Sequence, residues 1–211
     1  LCGVGAPDRA RKLAELGPDA LGINRYEPSS RYVDRERAER LAGVVREVDP
    51  SIDVVGVYVN PSSEGLRKDH EAVEWDVIQL HGDESPKEVQ NAGQLTRTMK
   101  AFQVDEDFSM DRLETYDSWA YLLDAYHPER YGGTGETAPW ERIRSYTDHH
   151  RIVLAGGLDP ENVREAIRSV NPWGVDACSG IEDDPGNKDP EKSARFVERA
   201  RSMQETSSTQ E

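Results

Sequence analysis

Two pairs of small residues in the last third of the chain predict a phosphate site. Gly156-Gly157 and Ser179-Gly180 each come just after an apolar run that has the length of a β-strand. Glycine lets backbone N–H groups approach a ligand closely, and the start of a following helix offers unpaired donors and a positive dipole end. Either pair alone also fits an ordinary turn. Because the two pairs follow consecutive strands, we expect them to hold one phosphate-bearing ligand between them.

Asp124 and Cys2 also end apolar runs, and both side chains can exchange protons. Asp124 closes the sequence Leu122-Leu123-Asp124, where an apolar environment favours a protonated carboxylic acid that can donate near neutral pH. A functional role for Asp124 is therefore favoured over a structural one. Cys2 ends a two-residue stub, and cysteine is commonly a buried apolar filler. On the residues alone, Cys2 is more readily structural than catalytic.

Three further polar side chains are placed to contact a ligand. Gln79 and His81 alternate at the end of another apolar run, so they share one face of the predicted strand. A packing role for His81 is at least as well supported, because no second histidine or acidic partner gives metal-ligand spacing. Arg31 follows Pro28-Ser29-Ser30 in a predicted loop. Its planar fork suits a substrate carboxylate, and a solvated loop charge is the alternative.

Short apolar runs alternate with polar segments of helical period along the chain. Such alternation, with strands that are apolar almost throughout, indicates an α/β protein whose parallel sheet is either doubly wound or closed into a barrel. Seven strands, with Leu1-Cys2 as the stub of an eighth, favour a (β/α)8 TIM barrel, in which functional groups lie at the carboxyl ends of the strands. The predicted strands are 19–24, 53–59, 76–80, 97–102, 119–125, 151–155 and 173–178, and the predicted helices are 7–16, 34–48, 62–74, 86–95, 107–117, 139–148, 160–169 and 190–203.

Capping residues mark several of the predicted helix starts. Ser85-Pro86, Asp159-Pro160 and Asp189-Pro190 each place a capping side chain before a proline, whose missing N–H costs nothing at the first helical position. Ser85 and Glu88 also have the spacing of a capping box. The end of the chain is polar and without periodicity. We therefore expect residues 1–203 to form one barrel domain and 204–211 a disordered tail.

Composition excludes several classes of protein. The longest apolar run, at 54–59, is too short to span a membrane, and no signal-peptide segment precedes it. The two cysteines, Cys2 and Cys178, are too few for a disulfide framework and fit neither a zinc pattern nor C-x-x-C, which implies a reducing compartment. We therefore expect a soluble, cytoplasmic protein with no membrane partner.

Charge is the most unusual feature of the composition. The chain has 41 acidic and 26 basic residues, which gives a formal net charge of −15. Such a field opposes nucleic acid as a partner, because binding to a phosphate backbone needs a basic face. Excess acidic residues with few lysines suit a salt-adapted organism. An acidic protein that is merely soluble is an equally supported alternative.

Seven sequence blocks stand in order and at workable spacing along nearly the whole chain. They are LCG (1–3), SSRYV (29–33), VGVYVNPS (55–62), DVIQLHGDES (76–85), LLDAYHPERYGGTGETAPW (122–140), LAGGLDPENV (154–163) and GVDACSGIE (174–182) followed by Gly186, Lys188 and Asp189. Together these blocks resemble phosphoribosylanthranilate isomerase of tryptophan biosynthesis. The resemblance implies a (β/α)8 barrel that converts N-(5-phosphoribosyl)anthranilate into 1-(2-carboxyphenylamino)-1-deoxyribulose 5-phosphate by an Amadori rearrangement, without metal or cofactor.

The resemblance assigns roles to the candidate residues. Asp124 resembles the general acid that opens the ribose ring to a Schiff base, and Cys2 resembles the general base that removes the C2 proton. Arg31 resembles the contact to the anthranilate carboxylate, and the two pairs of small residues resemble the phosphate cradle. The implied partner is a small phosphoribosyl substrate, and the implied protein is a monomer or homodimer.

Three positions depart from the family pattern. The family usually has an apolar or aromatic residue near Arg25, a threonine near Gly5 and a serine in place of Cys178. Arg25 adds a cation close to the predicted mouth, where we expect it to affect substrate preference. Cys178 should matter little, because the cradle binds through backbone N–H groups. Proton abstraction needs a thiolate, so we expect a positive field at the mouth to lower the pKa of Cys2.

Two alternatives remain open on the sequence. Another phosphosugar barrel, either an epimerase or an indole-forming synthase, would need metal ligands or a catalytic lysine array that have no evident counterpart in the chain. A catalytically silent barrel would bind a phosphate ligand without turnover.

The N-terminus does not supply a full first strand. Barrel closure needs a strand of about five residues. Leu1-Cys2 is shorter, so the strands predicted at 19–24 and 173–178 are expected to face each other across a gap. Two unpaired edges and a poorly held Cys2 would follow. We therefore expect the natural protein to have several more residues before Leu1, which would raise both stability and activity.

Overall fold

Helices and strands alternate through the protein, as its sequence predicts. The computed structural model describes residues 1–105, 108–124 and 140–207. Strands β1 to β7 are Ala20–Asn24, Asp53–Tyr58, Val77–Leu80, Arg97–Gln103, Ala120–Asp124, Ile152–Ala155 and Gly174–Val175. Helices α1 to α8 are Pro7–Glu15, Arg35–Val48, Ser63–Val73, Pro86–Ala92, Met110–Glu114, Trp140–Thr147, Val163–Val170 and Pro190–Ser207.

Strands β1 to β7 form one parallel sheet in the order of the sequence. Each strand pairs with the next one along the chain, and the helices between them cover the outside of the sheet. Small and branched side chains fill the inside, including Val55, Val77 and Val153. A sheet that is buried on both faces accounts for strands that are apolar almost throughout. The predicted α/β barrel is therefore confirmed.

Residues 1–3 join the two outer strands of this sheet at their carboxyl ends. The Gly22 N–H donates to the Leu1 carbonyl at 2.8 Å, and the Cys2 N–H donates to the Ala177 carbonyl at 2.9 Å. The Gly3 N–H in turn donates to the carbonyl of Gly22 at 2.9 Å. The stub therefore occupies the position of a strand between β1 and β7. The prediction that Cys2 would be poorly held is wrong, because backbone hydrogen bonds fix it on both sides.

The gap predicted between the outer strands is confined to their amino ends. A cavity of about 400 Å³ opens there into the barrel and is lined by residues that include Ala20, Val55 and Trp173. It runs up the interior as far as Cys2. Its mouth lies on the opposite side of the barrel from the loops that follow the strands. The predicted chemistry therefore lies at the other end of the barrel from this opening.

The segment after β7 differs most from the prediction. Strand β7 has two residues instead of the predicted six, because the chain turns into a 3-10 helix at Ser179–Ile181. An antiparallel hairpin follows, with strands β8 at Glu182–Asp184 and β9 at Asn187–Lys188. Gly186 takes a φ of 86° in the turn between them, a region that favours glycine. The sequence did not predict this hairpin.

Several of the predicted helix boundaries change as well, including those of α4, which ends at Ala92, and of α5, which covers Met110–Glu114. Asp159 accepts hydrogen bonds from the backbone N–H groups of Glu161 and Asn162, which makes a turn, and α7 begins only at Val163. Helix α8 continues to Ser207, beyond the predicted start of the tail. Residues 208–211 lie outside the described part of the chain. So does most of the block at 122–140, from residue 125 to residue 139.

The predicted capping box at α4 is confirmed. The Ser85 hydroxyl accepts from the Glu88 N–H, and the Glu88 carboxylate accepts from the Ser85 N–H at 2.7 Å. These two bonds satisfy donors that the first turn of a helix leaves unpaired.

The described helices are all too short or too polar to cross a membrane.

Candidate active site

All of the predicted site residues lie at the carboxyl end of the barrel. Asp124 ends β5 and Gln79 lies in β3, while the remaining residues lie in loops that follow strands or in the stub. Parallel strands that close a barrel bring their carboxyl ends around one opening. The sequence therefore placed these groups at the correct end of the fold. They are Cys2, Arg31, Gln79, His81, Asp124, Gly156, Gly157, Ser179 and Gly180.

Cys2 and Cys178 form a pair of neighbouring thiols at this opening. Both are half-buried and neither is in a disulfide. Gly22 leaves room for the Cys2 sulfur, since a Cβ at that position would lie 3.0 Å from Sγ. The hydrogen bond to Cys178, together with burial, raises the pKa of Cys2 well above its ordinary value. The predicted lowering of the Cys2 pKa is therefore wrong.

The expected lowering of a thiol pKa occurs at Cys178 instead of Cys2. The hydrogen bond from Cys2 lowers the pKa of Cys178 to about 7 against the effect of burial, and the Lys188 ammonium, 3.5 Å from its sulfur, lowers it further. Two thiols that interact this closely lose their protons in two steps that belong to the pair. Near neutral pH Cys178 is therefore partly ionised, with the Cys2 thiol beside it.

Arg31 and Lys188 share a buried carboxylate beside the thiols. Arg31 donates from Nε and Nη2 to the two oxygens of Glu182 at 2.7 and 2.6 Å. Lys188, whose side chain is 1% exposed, also pairs with Glu182 and donates to the Cys178 carbonyl at 2.9 Å. Although burial opposes it, these cations lower the pKa of Glu182 to about 2. Glu182 is therefore ionised and holds the Arg31 fork in one orientation.

The hairpin explains how this cluster forms and why sequence reasoning missed it. β9 runs back along β8, which places Lys188 opposite Glu182 and beneath the Cys178 carbonyl. The charged residues of this segment follow no spacing that marks a site. The one available signal was that Glu182 and Lys188 belong to the same block as Ser179. Asp176 was missed as well, although its carboxylate raises the pKa of Cys2.

Gln79 and His81 contact each other as their alternation predicts. The Gln79 amide nitrogen lies 2.8 Å from Nδ1 of His81, and Gln79 itself is buried. With the amide nitrogen on that side, the ring accepts at Nδ1 and carries its proton on Nε2. Although His81 is exposed at the mouth, desolvation by the surrounding wall lowers its pKa, and the charge of Asp124 opposes this effect. Asp124 therefore acts electrostatically on His81.

The two predicted phosphate loops lie against each other. Gly156 and Gly157 have φ values of 96° and 64°, which favour glycine. A Cβ at Gly180 would lie 2.1 Å from the carbonyl oxygen of Leu158, so only glycine allows the second loop to approach the first. Ser179 opens the 3-10 helix, where the first N–H groups have no partner within the helix. The geometry is compatible with a cradle of N–H groups.

Arg25 does not behave as its sequence position suggests. Its guanidinium forms an ion pair with Asp69 of α3 at 2.9 Å. Asp69 is buried and also accepts from the Tyr58 hydroxyl at 3.1 Å. The cation that we expected at the mouth is thus engaged in a contact between the end of β1 and α3.

Among the described residues, no three metal-binding side chains of the His, Cys, Asp or Glu types lie close enough to hold a metal ion.

These features define a class of protein before any comparison. A (β/α)8 barrel that combines paired phosphate loops, an arginine fork and groups able to exchange protons has the equipment of a barrel enzyme acting on a sugar phosphate. Comparison with known proteins makes this specific. Residues 1–199 match the family described as N-(5'-phosphoribosyl)anthranilate (PRA) isomerase. The chain belongs to this family.

Individual relatives agree with the family assignment. The chain is 42% identical to N-(5'-phosphoribosyl)anthranilate isomerase of Citrifermentans bemidjiense over 204 residues, which cover 96% of each protein. The crystal structure of the isomerase from Thermotoga maritima superposes with a TM-score of 0.86 at 37% identity and covers 96% of this chain and 97% of that one. A second structure, of the isomerase in complex with reduced 1-(o-carboxyphenylamino)-1-deoxyribulose 5-phosphate, has a TM-score of 0.83 at 34% identity and covers 95% and 96%.

Proposed function

We propose that this chain converts N-(5-phosphoribosyl)anthranilate into 1-(2-carboxyphenylamino)-1-deoxyribulose 5-phosphate, with Asp124 as general acid and Cys2 as general base. Membership of the isomerase family supports the reaction. The observation that supports these residue roles is their position at one end of the barrel with the phosphate loops and Arg31. An intramolecular redox isomerisation of this kind needs only proton transfers between a bound substrate and the protein.

Substrate binding uses two anion sites at the mouth. The phosphate binds to N–H groups of the loops at Gly156-Gly157 and Ser179-Gly180, where dipoles and glycine backbone suit an anion. The anthranilate carboxylate binds to Arg31. Glu182 occupies Nε and Nη2 of this fork, so the substrate meets Nη1. Gln79 orients His81, whose Nε2 proton is available to a substrate oxygen.

Asp124 and Cys2 then act in sequence. Asp124 donates a proton to the ribose ring oxygen as the C1–O bond breaks, and the anthranilate nitrogen becomes a Schiff base. The Cys2 thiolate removes the proton from C2, and the electron pair moves to give an enolamine. Its tautomerisation produces the ketose. Each positioned proton transfer contributes roughly 10²–10⁴ to the rate.

Cys178 supplies a place for the proton that Cys2 must lose. Cys178 is partly ionised near neutral pH, and Lys188 favours this charge. Transfer of the Cys2 proton to Cys178 makes the catalytic thiolate without taking up charge from solvent. This arrangement accounts for a base whose own pKa is raised.

Three finer properties are part of the proposal. The protein acts in the cytoplasm, in agreement with the lack of a spanning helix in the described residues. It acts as a monomer or a homodimer, and the isomerase of Thermotoga maritima is itself dimeric. Adaptation to high salt is supported by the net charge of −15 alone.

Loss of substrate fluorescence on addition of the purified protein tests the reaction. We expect wild type to consume phosphoribosylanthranilate and D124N to lower kcat by roughly 10²–10⁴, because the amide keeps the shape but cannot donate the proton. C2A should behave similarly. Both variants should bind the reduced product analogue with nearly normal affinity. Ligand binding by wild type without turnover would identify a silent barrel, and near-normal turnover by D124N would remove Asp124 from its role.

A further inference from the structure

The backbone places Cys2 and Cys178 directly beside each other. The Cys2 N–H donates to the carbonyl of Ala177, the residue before Cys178, at 2.9 Å. Neighbouring strands lie about 4.7–4.9 Å apart. Disulfides form across Cα separations of about 4.4–6.8 Å. A Cβ at Gly3, the residue after Cys2, would lie 3.3 Å from the Cys178 sulfur, so this sulfur packs against the stub beside Cys2.

The surroundings make one of these sulfurs reactive. Lys188 lies 3.5 Å from the Cys178 sulfur, and the hydrogen bond from Cys2 adds to its effect. Together they lower the pKa of Cys178 to about 7 against burial, so a substantial fraction is thiolate at neutral pH. A thiolate is the form of cysteine that attacks an oxidant. Both cysteines are half-buried, so a small oxidant can reach them from the mouth.

We propose that Cys2 and Cys178 are a redox modification site, at which a peroxide joins the two sulfurs in a reversible disulfide and thereby switches off the active site. Loss of activity rests on the proposed role of Cys2 as general base. Formation of the disulfide rests only on the geometry of the pair. No third cysteine exists in the chain, so any intramolecular disulfide has to be this one.

The chemistry balances with hydrogen peroxide as the two-electron oxidant. The Cys178 thiolate attacks one peroxide oxygen, the O–O bond breaks, and the products are a sulfenic acid and hydroxide. The Cys2 sulfur then attacks the sulfenic sulfur, the S–O bond breaks, and the oxygen leaves as water with the Cys2 proton and one further proton from the sulfenic acid. Two thiols are oxidised and one peroxide is reduced to water. A dithiol reductant reverses the step by thiol–disulfide exchange.

Peroxide treatment followed by alkylation under denaturing conditions tests the proposal. We expect the oxidised wild type to carry no alkylated cysteine and to have the mass of the reduced monomer less two hydrogens. We also expect turnover to fall by about 10²-fold or more, because the base is consumed, and dithiothreitol to restore it. Prior binding of the product analogue should slow oxidation, since the ligand covers the pair.

C178S is the matched control, because serine keeps the size of the side chain but cannot form the disulfide. The variant should show no loss of two hydrogens, and peroxide should inactivate it more slowly than wild type, because the sulfur that attacks the oxidant is gone. C178A gives a second control if the serine variant does not fold. Two alkylated cysteines in peroxide-treated wild type would overturn the proposal. A quantitative disulfide with full turnover would overturn the switch. Full turnover of untreated C2A would separately overturn the role of Cys2 as general base.

Discussion

Two buried lysine–glutamate pairs in this barrel have similar burial but different surroundings. Lys100 and Glu84 form one pair at 2.9 Å, and each side chain is 2% exposed. Lys188 and Glu182 form the other, with side chains that are 1% and 6% exposed. In each pair a lysine that is almost withdrawn from water meets a carboxylate in the wall of the barrel. The two pairs differ in what else they contact.

The contacts of the first pair stay within the wall. Lys100 donates to the carbonyls of Leu80 and Gly82 as well as to Glu84. Glu84 accepts from the N–H groups of Asn60 and Gly82. The pair therefore ties the loops after β2 and β3 to β4. Its charges are satisfied by backbone groups and its role is structural.

The contacts of the second pair lead into the active site. Glu182 shares its charge with Arg31, and Lys188 lies beside the Cys178 sulfur. The cations therefore orient a substrate-binding fork and favour a thiolate. The comparison shows that burial and pairing of charge do not identify function. What identifies it is a group at the edge of the network that can still exchange a proton or meet a ligand.

Removal of Glu84 should have the largest effect on stability. E84Q leaves the Lys100 ammonium buried without a counter-charge, and breaking such a pair costs about 3–5 kcal/mol. We expect the free energy of unfolding, measured with urea, to fall by this amount. At low temperature, where the variant is still folded, kcat should stay within about twofold of the wild-type value, because a loss of folding stability does not change the chemical step. E36Q, which breaks an exposed pair with Arg40, should cost less than about 1 kcal/mol.

A different result for E84Q would abolish the distinction between the two regions. If kcat falls by an order of magnitude while the unfolding midpoint stays at the wild-type value, the wall pair contributes to catalysis. Glu84 would then belong to the active site, through the charge that it and Lys100 exert on His81.

The same contrast explains how much of the fold could be predicted from the sequence. Strands such as β2 and β5 are runs of apolar residues bounded by polar ones, a local pattern that survives in the folded protein. The hairpin of β8 and β9 has no such pattern, because its residues from Glu182 to Lys188 are mostly polar. Its stability comes from contacts with Arg31, which is about 150 residues distant in the sequence. No local signal specifies such a contact.

The candidate site was predictable only in part for a related reason. Strand ends can be read from the sequence, and they located Asp124, His81 and the phosphate loops. The neighbour of Cys2 could not be read in this way, because the register between the stub and the segment after β7 is set by backbone pairing with Ala177. The partner of Arg25 was missed for the same reason, since Asp69 lies on α3, 44 residues further along the chain.

Comparison of wild type with E182Q should show how much the second pair contributes to the free energy of unfolding, because this contribution depends on pH. The folded-state pKa of Glu182 is about 2, below its ordinary value of 4.5. A lowered carboxyl pKa stabilises the folded protein above the unfolded value, and the contribution is lost as the pH falls from about 4.5 toward 2. A shift of that size corresponds to about 3 kcal/mol, which we reduce to about 1–2 kcal/mol because solvent reaches the Arg31 side of the pair.

The measurement is the difference in unfolding free energy between wild type and E182Q at several pH values. We expect the difference to be constant from pH 7 to pH 5 and to shrink as the solution becomes more acidic. E36Q is again the control, because its exposed carboxylate should give little difference at any pH. A gap between wild type and E182Q that persists unchanged down to pH 3 would show that Glu182 is not held ionised by Arg31 and Lys188.

Added salt should change the stability contributed by exposed charges but not that contributed by the two buried pairs. We expect this to be the smallest of the three effects on stability. The net charge of −15 destabilises the folded state by repulsion between exposed carboxylates. The Debye length falls from about 10 Å at 0.1 M to about 3 Å at 1 M, so KCl screens these charges but acts little on buried pairs. We expect Tm to rise by a few degrees over this range, on the order of 1 kcal/mol. E84Q should start from a lower Tm and rise in parallel with wild type. A flat or falling Tm would leave salt adaptation without support, and a steeper rise in E84Q would mean that salt reaches the unpaired Lys100.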